Sequence, residues 1–474
     1  MAEVKIIYKF AITAVFIILT VPSFAQNIQQ QKNDSVFVLL KKYINSKDID
    51  SIFDLTGKDY QKKSSKSNLS DFLTKQIFPL DQIIRSSALG YENKVSTYKL
   101  QFNKTAIQLS INLDVSDKIG FFSFKPFQPN KATLVATSNP LQTPLEKELD
   151  SVIRIYIQKP NTIGLSIGIF KAGKNSIYGY GETVKGNNKV PDANTMFEIG
   201  SITKTFTATL LAYFVNQGKI KLTDPITKYL PDSVAKNIVL KEVSIVSLCN
   251  HTSGLAPLPD NFETGNYDPV NPYKNYTREK LFAYLKNCKL NSKPGEVYAY
   301  SNMAVGLLGI ILERISKQTY EQLVKTIICK PLHLESTVQH LSAQNETRFV
   351  KVYNESGTET SAWDFDALQA CGSLHSTVTD LLRYAIANMK VENTELFKAF
   401  QLTHQITFDK NQKVGLGWHI VKVNDIEYLW HAGGTGGSRS FLAFNNAKKN
   451  AVVVLSNSAE STDPVGVGMI KLLQ

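Results

Sequence analysis

The chain has 474 residues, 43% of them hydrophobic and 20% charged, which is enough for a large buried core in two or three domains. This composition excludes the disordered, collagen-like and multi-pass membrane classes. Lysine and arginine outnumber aspartate and glutamate by 53 to 41, a net charge of +12, but they form no dense basic block, so we interpret them as a lysine-rich surface and expect no nucleic-acid partner.

The N-terminal segment follows the pattern of a secretory signal. Lys5 and Lys9 precede an uncharged run over 10–21, and Ala25 completes a small-residue cleavage pattern. The run is shorter than the roughly 20 residues of a membrane span. We therefore predict a signal peptide over 1–25 and an exported protein, periplasmic or extracellular, with no membrane association after cleavage.

Residues 26–127 are predicted to form a small α+β domain of unknown role. Asn33, Asp34 and Ser35 offer caps for a helix that runs through Ile44. Helices and then period-two strands follow along the chain, with helices over 48–55 and 70–78 and strands over 95–102, 107–113 and 119–124. Helices followed by hairpins are typical of an α+β domain.

A proline-flanked stretch predicts a linker over 128–144, followed by one large domain over 145–474. This domain opens with a helix and two strands and closes with four strands and a helix, over 146–158, 164–171, 175–180, 414–421, 426–430, 440–444, 451–455 and 464–473. Its middle section is helical. Strands at both ends around helices predict an α/β fold in which one sheet is assembled from the two ends.

The strongest local signal is Glu198-Ile199-Gly200-Ser201-Ile202-Thr203-Lys204, at the start of an apolar helix. Three residues are close to one helical turn, so Ser201 and Lys204 share a face. The free N–H groups and positive dipole end of a helix N-terminus favour a serine alkoxide. Lys204 is then a candidate base, although Ser-x-x-Lys alone often occurs by chance.

Two later stretches strengthen this signal. Tyr298-Ala299-Tyr300-Ser301-Asn302 lies just before an apolar helix, where a phenol can approach a nucleophile, or where Ser301 or Asn302 simply caps the helix. His431 to Gly437 follow a strand that ends at Trp430. Their glycines let a backbone N–H face an oxyanion, or form an ordinary turn.

In this order the three stretches resemble the signature of the penicillin-recognising serine enzymes. The Tyr-x-Asn form of the second motif resembles that of the branch that contains class C β-lactamases, DD-peptidases and esterases. The resemblance covers about residues 148–474 and includes the stretches 251–255, 372–376 and 415–418. It implies a β-lactamase/transpeptidase-like antiparallel sheet flanked by helices, with an all-helical insert, preceded here by the extra α+β domain.

The resemblance implies roles for individual residues. Ser201 would be the acylated nucleophile, Lys204 would assist its deprotonation, and Tyr300 would shuttle the proton. Asn302 would orient Lys204 and the substrate amide. His431 would neighbour Tyr300 in the catalytic group. The implied chemistry needs no metal or organic cofactor.

The substrate-binding strand departs from that signature. Class C β-lactamases have Lys-Thr-Gly where this chain has His431-Ala432-Gly433. Histidine is only partly charged at neutral pH, so we expect a weak grip on carboxylated substrates unless Arg439 replaces the lysine. The backbone N–H groups of Ser201 and Gly434 would form the oxyanion hole, with Gly433 and Thr435 beside the substrate.

These expectations lead to an exported serine hydrolase that forms an acyl-enzyme on Ser201. Its partners would be small-molecule or peptide acyl substrates, namely cell-wall peptides, β-lactams or small esters. An acyltransferase, which passes the acyl group to an alcohol or amine, is one alternative. A non-catalytic penicillin-binding-type sensor or binding protein is another.

One motif and four cysteines are interpreted as structural. Residues 164–168 match the Gly-x-Ser-x-Gly elbow, but apolar residues alternate through them, which predicts a strand interior with Ser166 inside it. The cysteines are widely spaced and form no metal-binding pattern, so we expect isolated buried thiols.

Overall fold

The computed structural model describes residues 23–474. The predicted signal peptide therefore lies outside the described residues, apart from its last three positions, which begin the first helix. The chain divides into two compact units, one ending at Pro129 and one beginning at Asn130. Within the described range, no helix is long and apolar enough to cross a membrane.

The first unit packs helices on one face of a four-stranded antiparallel sheet of order β1-β2-β3-β4. Its helices are α1 (Ser23–Ser46), α2 (Ile49–Asp54), α3 (Lys58–Lys63) and α4 (Lys66–Phe72). Its strands are β1 (Arg85–Glu92), β2 (Val95–Gln101), β3 (Ala106–Leu113) and β4 (Ile119–Pro126). In β2 and β3 every second residue is buried, which puts the core on the helix-covered face.

Two details of this unit differ from the sequence prediction. Helix α1 begins before Asn33, which is buried within it and donates from Nδ2 to Lys94 O at 3.0 Å and Ser96 Oγ at 3.1 Å. Asn33 therefore ties the helix to the sheet instead of capping it. Strand β1 was not predicted, because its residues are mostly exposed and its sequence carries no apolar alternation.

The second unit contains an eight-stranded antiparallel sheet of order β11-β12-β13-β14-β15-β16-β5-β6. The strands, with two short two-stranded pairs, are β5 (Gly164–Lys171), β6 (Lys174–Gly181), β7 (Met196–Glu198), β8 (Val352–Tyr353), β9 (Glu359–Thr360), β10 (His375–Thr377), β11 (Phe408–Asp409), β12 (Lys413–Val414), β13 (His419–Val423), β14 (Ile426–Gly434), β15 (Arg439–Asn445) and β16 (Asn450–Ser456). Strand β10 pairs with β7, and β8 with β9.

Helices cover both faces of this sheet. The helices of the second unit are α5 (Pro144–Ile157), α6 (Thr203–Asn216), α7 (Asp232–Ala235), α8 (Ile245–Cys249), α9 (Arg278–Leu285), α10 (Asn302–Ser316), α11 (Tyr320–Leu323), α12 (Lys330–Leu332), α13 (Ala343–Glu346), α14 (Val378–Asn388), α15 (Glu395–Thr403) and α16 (Asp463–Leu472). Helices α5 and α16 pack on one face, and α6 and α14 belong to the larger core on the other. Because both faces are covered, every residue of β16 is buried.

The predicted sheet, assembled from both ends of the domain around a helical middle, is confirmed. The predicted strand over 414–421 is divided, because the turn at 415–417 packs against Lys204 and Ala208 of α6. The stretch predicted as a linker belongs to the second unit from residue 130 onward, where Lys131 Nζ donates to Ile157 O at 2.9 Å.

Candidate active site

Ser201 lies at the entrance of a buried helix. It is the middle residue of the short 3₁₀ turn Gly200–Ile202, which leads directly into α6. Helix α6 is buried along most of its length, and Ser201 lies at its N-terminal end. The positive end of its dipole therefore points toward the serine.

Lys204 is on the same face as Ser201, one turn further along. Its Nζ donates to Ser201 Oγ at 2.9 Å and to Cys371 O at 2.6 Å, and the side chain is only 1% exposed. Thr203 and Thr207 hold α6 against the segment that carries this carbonyl, since Leu374 N donates to Thr203 Oγ1 and Thr207 Oγ1 donates to Ala370 O. The lysine position is thus set by a distant loop as well as by its helix.

Tyr300 approaches Ser201 from the other side. Its hydroxyl donates to Ser201 Oγ at 2.8 Å, and Lys204 Nζ lies 4.8 Å from the centre of its ring. The ring stacks on His251 with centroids 4.3 Å apart, and His251 Nδ1 accepts the N–H of Ser301 at 3.1 Å. Ser201 Oγ is therefore bonded to two groups that can carry its proton.

Asn302 is the first residue of α10, and Ser301 is the cap of that helix, as one of the sequence alternatives proposed. Asn302 Nδ2 donates to Tyr273 OH at 2.9 Å, while its Oδ1 is buried without a partner. The described contacts contain no hydrogen bond between Asn302 and Lys204, whose Nζ donates to Ser201 and Cys371.

The end of strand β14 forms an open edge next to the nucleophile. Strand β13 pairs with β14 only as far as Trp430, whereas β14 remains paired with β15 up to Gly434. Residues 431–434 therefore have no partner strand on the β13 side, which suits an extended acyl chain. Gly200, at φ +47°, makes the close approach possible, since a Cβ there would lie 2.6 Å from Gly434 N.

His431 is buried and uncharged at neutral pH. Burial, with His419 and Lys204 nearby, holds its pKa well below the usual range of histidine. Its Nδ1 lies 2.7 Å from Ala432 O, which assigns the proton to Nδ1. Its ring is 6.5 Å from that of Tyr300 and 5.3 Å from that of His419, whose pKa burial lowers to about 4. The next residue, Ala432, has no side-chain hydroxyl that could bind a substrate carboxylate.

Arg439 lies on the face of β15 opposite Ser440, which contacts the Ser201 loop, so its binding of a substrate carboxylate stays a prediction that this geometry does not support. Arg439 lies on the same face of β15 as Phe441, which packs with α5 and α16. Ser440 lies on the other face, where its Oγ donates to Ile199 O near Ser201. Arg439 Nη1 donates to the carbonyls of Thr435 at 2.6 Å and Ser438 at 2.9 Å. Thr435, predicted beside the substrate, is itself buried.

The remaining candidates are structural. Ser166 lies inside β5, is fully buried and donates to Asp192 O at 3.2 Å, as a strand residue would. All four cysteines are free and buried. In the part of the chain that the structure describes, no group of three or more His, Cys, Asp or Glu side chains could hold a metal ion.

Comparison with known proteins identifies the family. The family model described as Beta-lactamase matches residues 149–469. The chain belongs to the beta-lactamase family. A beta-lactamase of Pseudomonas fluorescens is 28% identical over 352 residues, covering 66% of this chain and 94% of that protein. The D-alanyl-D-alanine-carboxypeptidase/endopeptidase AmpH of Escherichia coli strain K12 is 28% identical over 316 residues, covering 62% and 80%.

Solved structures agree with this assignment. A class C beta-lactamase matches with a TM-score of 0.63 and 26% identity over 71% of this chain and 98% of its own. The predicted fold and the predicted membership of the penicillin-recognising superfamily are confirmed, and this member of the beta-lactamase family is a serine hydrolase.

Sequence reasoning missed several residues around the site of this beta-lactamase-family protein. Tyr273 and Cys371 bond to Asn302 and Lys204, and the carboxylate of Glu198 holds the turn after β14. The only sequence signal for Tyr273 is its aromatic-rich loop. Cys371 acts through its carbonyl, which no side-chain pattern reveals, and Glu198 opens the stretch that carries Ser201 but is not part of the Ser-x-x-Lys motif.

Proposed function

We propose that this protein is an exported serine hydrolase that forms an acyl-enzyme on Ser201 and cleaves uncharged esters or amides in the manner of an esterase. The observation that carries the proposal is the pair of hydrogen bonds at Ser201 Oγ, from Lys204 Nζ at 2.9 Å and from Tyr300 OH at 2.8 Å. A nucleophile joined to groups that can take and return a proton is the arrangement that acyl transfer requires.

The proposed reaction has two steps. Ser201 Oγ attacks the substrate carbonyl while its proton passes to the Lys204–Tyr300 pair, one of which must be free to accept it. The N–H groups of Ser201 and Gly434 stabilise the oxyanion. The C–N or C–O bond then breaks, and the leaving group takes the proton from the pair. Water then attacks the acyl ester and gives a proton to the Lys204–Tyr300 pair. The pair returns the proton to Ser201 Oγ as the acid product leaves.

The electrostatics of the cleft favour an uncharged acyl donor. His431 is neutral, Ala432 lacks a hydroxyl, and Arg439 is directed to the other face of the sheet. None of the three supplies the cation that would bind a carboxylate next to the scissile bond. The relatives include proteins named beta-lactamase and a D-alanyl-D-alanine-carboxypeptidase/endopeptidase. Because the substrates of a carboxypeptidase and of a β-lactamase both carry a carboxylate near the scissile bond, the neutral cleft supports esterase activity over either.

Intact-mass spectrometry tests the proposal. The purified chain and Ser201→Ala are incubated with a penicillin and, separately, with a p-nitrophenyl ester. We expect a slowly hydrolysed penicillin adduct, faster ester turnover, and neither with Ser201→Ala. Fast penicillin turnover would instead favour a β-lactamase. Turnover by Ser201→Ala would refute the nucleophile, and no reaction with any acyl donor would favour a non-catalytic binding protein.

A further inference from the structure

A buried carboxylate joins three segments around the nucleophile. Glu198 is 3% exposed and ends strand β7, three residues before Ser201. Its Oε1 accepts the backbone N–H of Trp363 at 2.7 Å. Its Oε2 accepts the hydroxyl of Thr435 at 2.8 Å and the hydroxyl of Ser438 at 2.9 Å. The same side chain therefore contacts the strand before Ser201, the turn after β14 and the Trp363 segment.

A half-buried guanidinium holds the same turn from the opposite side. Arg439 Nη1 bonds to the carbonyls of Thr435 and Ser438, the two residues whose hydroxyls bond to Glu198. Within the turn, Thr435 N donates to Ser438 O and Ser438 N donates to Thr435 Oγ1, both at 3.1 Å. Each of the two residues thus gives a hydroxyl proton to the anion and a carbonyl oxygen to the cation.

We propose that Glu198 and Arg439 act together as positioning residues for the oxyanion donor Gly434. They hold the turn over 435–438 as a clamp, and this turn closes the hairpin in which Gly434 pairs with Arg439. The position of the turn therefore determines where the Gly434 N–H points. The inference rests on the proposed function, in which that N–H binds the oxyanion.

Stability alone does not account for this arrangement. A buried carboxylate is costly unless it is well bonded, and an apolar replacement of such a buried polar group is often neutral or stabilising. Burial raises the pKa of Glu198 in spite of three donors, which reflects that cost. Hydrogen bonds to fixed charges define direction, which apolar packing does not. Precise placement of the turn is the gain that offsets the cost.

The acylation rate constant per active site tests the clamp. Glu198→Gln removes the charge but keeps the size, and Arg439→Met removes the bonds to both carbonyls. Stopped-flow acylation by a p-nitrophenyl ester is normalised to the number of titrated Ser201 sites. We expect each variant to be about 10²-fold slower per site, as a displacement of about 1 Å would cause, with little change in the dissociation constant of the initial complex. Arg439→Lys should recover part of the rate.

A matched variant separates positioning from stability. Asp380 is also a 3% exposed carboxylate, and it accepts bonds from Ser336 N at 2.8 Å and Thr337 Oγ1 at 3.0 Å, but it contacts none of the proposed catalytic residues. Asp380→Asn should lower the unfolding temperature and leave the rate per site unchanged. The double variant of Glu198 and Arg439 should lose less than the product of the single losses, because both act on one turn.

Failure of the clamp is distinguishable from failure of the proposed function. If the wild-type protein is acylated and Glu198→Gln has the same rate per site, or Asp380→Asn is equally slow, the clamp is overturned. If wild-type Ser201 reacts with neither the ester nor a fluorophosphonate, the proposed function fails instead. In that case a crystal structure of Glu198→Gln tests the clamp. A displaced turn over 435–438 would support the clamp, and a turn in its wild-type position would overturn it.

Discussion

Gly433→Ala would disturb the contact between strand β14 and the nucleophile loop. A Cβ at this position would lie 2.1 Å from Ile199 O and 2.3 Å from Ser440 Oγ, whereas ordinary contact begins at 3.4 Å. Ser440 Oγ is bonded to Ile199 O at 2.8 Å, so turning it away breaks that bond and leaves the clash with the carbonyl. Strand and loop must therefore separate by about 1 Å.

The expected loss is mainly kinetic. A misplacement of about 1 Å can cost 10²-fold in rate, which corresponds to about 2.7 kcal/mol of activation free energy. Overpacking of this kind lowers the free energy of unfolding by about 1–3 kcal/mol, a fraction of the stability of a typical domain. Gly433→Ala should therefore fold and acylate about 10²-fold more slowly per active site.

The assay combines stopped-flow acylation, normalised to titrated Ser201, with denaturant unfolding. Gly168→Ala, on strand β5 of the same sheet, is the control, because its Cβ would clash only with the tip of the Val378 side chain, at 2.7 Å. It should lose some stability, though less than Gly433→Ala, and keep the wild-type rate per site. If Gly433→Ala also kept that rate, the close approach of β14 would not determine the geometry of acylation, and the reasoning would be refuted.

Three further changes have definite expected outcomes. Tyr273→Phe removes the hydrogen-bond partner of Asn302 Nδ2, and the loss of about 1–1.5 kcal/mol should lower kcat/KM on an amide substrate about tenfold. An unchanged kcat/KM would mean that Tyr273 does not position Asn302. Replacing His431 by Lys and Ala432 by Thr together should favour a carboxylated substrate over its methyl ester by at least about tenfold, measured as a ratio of kcat/KM, and an unchanged ratio would contradict the neutral-cleft argument. Burial lowers the pKa of His375 to about 4, below its unfolded value near 6.5, so the stabilisation present above pH 6.5 is lost as the pH falls toward 4. In denaturant melts, His375→Gln should reduce that dependence by about 1.4 kcal/mol per pH unit, and an identical slope would rule out this proton uptake.

Local features of the chain were predictable because they depend on neighbours in sequence. The spacing of Ser201 and Lys204 predicts a shared helix face, and the two side chains are bonded in the structure. Alternation through residues 164–171 predicts a strand with the bounds observed for β5. The same reasoning failed for β1, whose exposed residues leave no apolar pattern.

The residues that complete the site come from distant parts of the chain. Tyr273 and Cys371 lie 29 and 167 residues from their partners Asn302 and Lys204. Glu198 binds hydroxyls more than 230 residues away. No local periodicity encodes such pairs, because the long-range packing of helices and strands brings them together.

By itself, the sequence determined the order of the catalytic motifs, the alternation that forms the strands, and the identity of the proposed nucleophile and its base. Only the tertiary structure decided that Arg439 lies on the face of β15 opposite Ser201, since one step in strand register exchanges the two faces. Burial likewise decided that His431 is neutral, because the free energy of a charge depends on the surrounding atoms rather than on its neighbours in sequence.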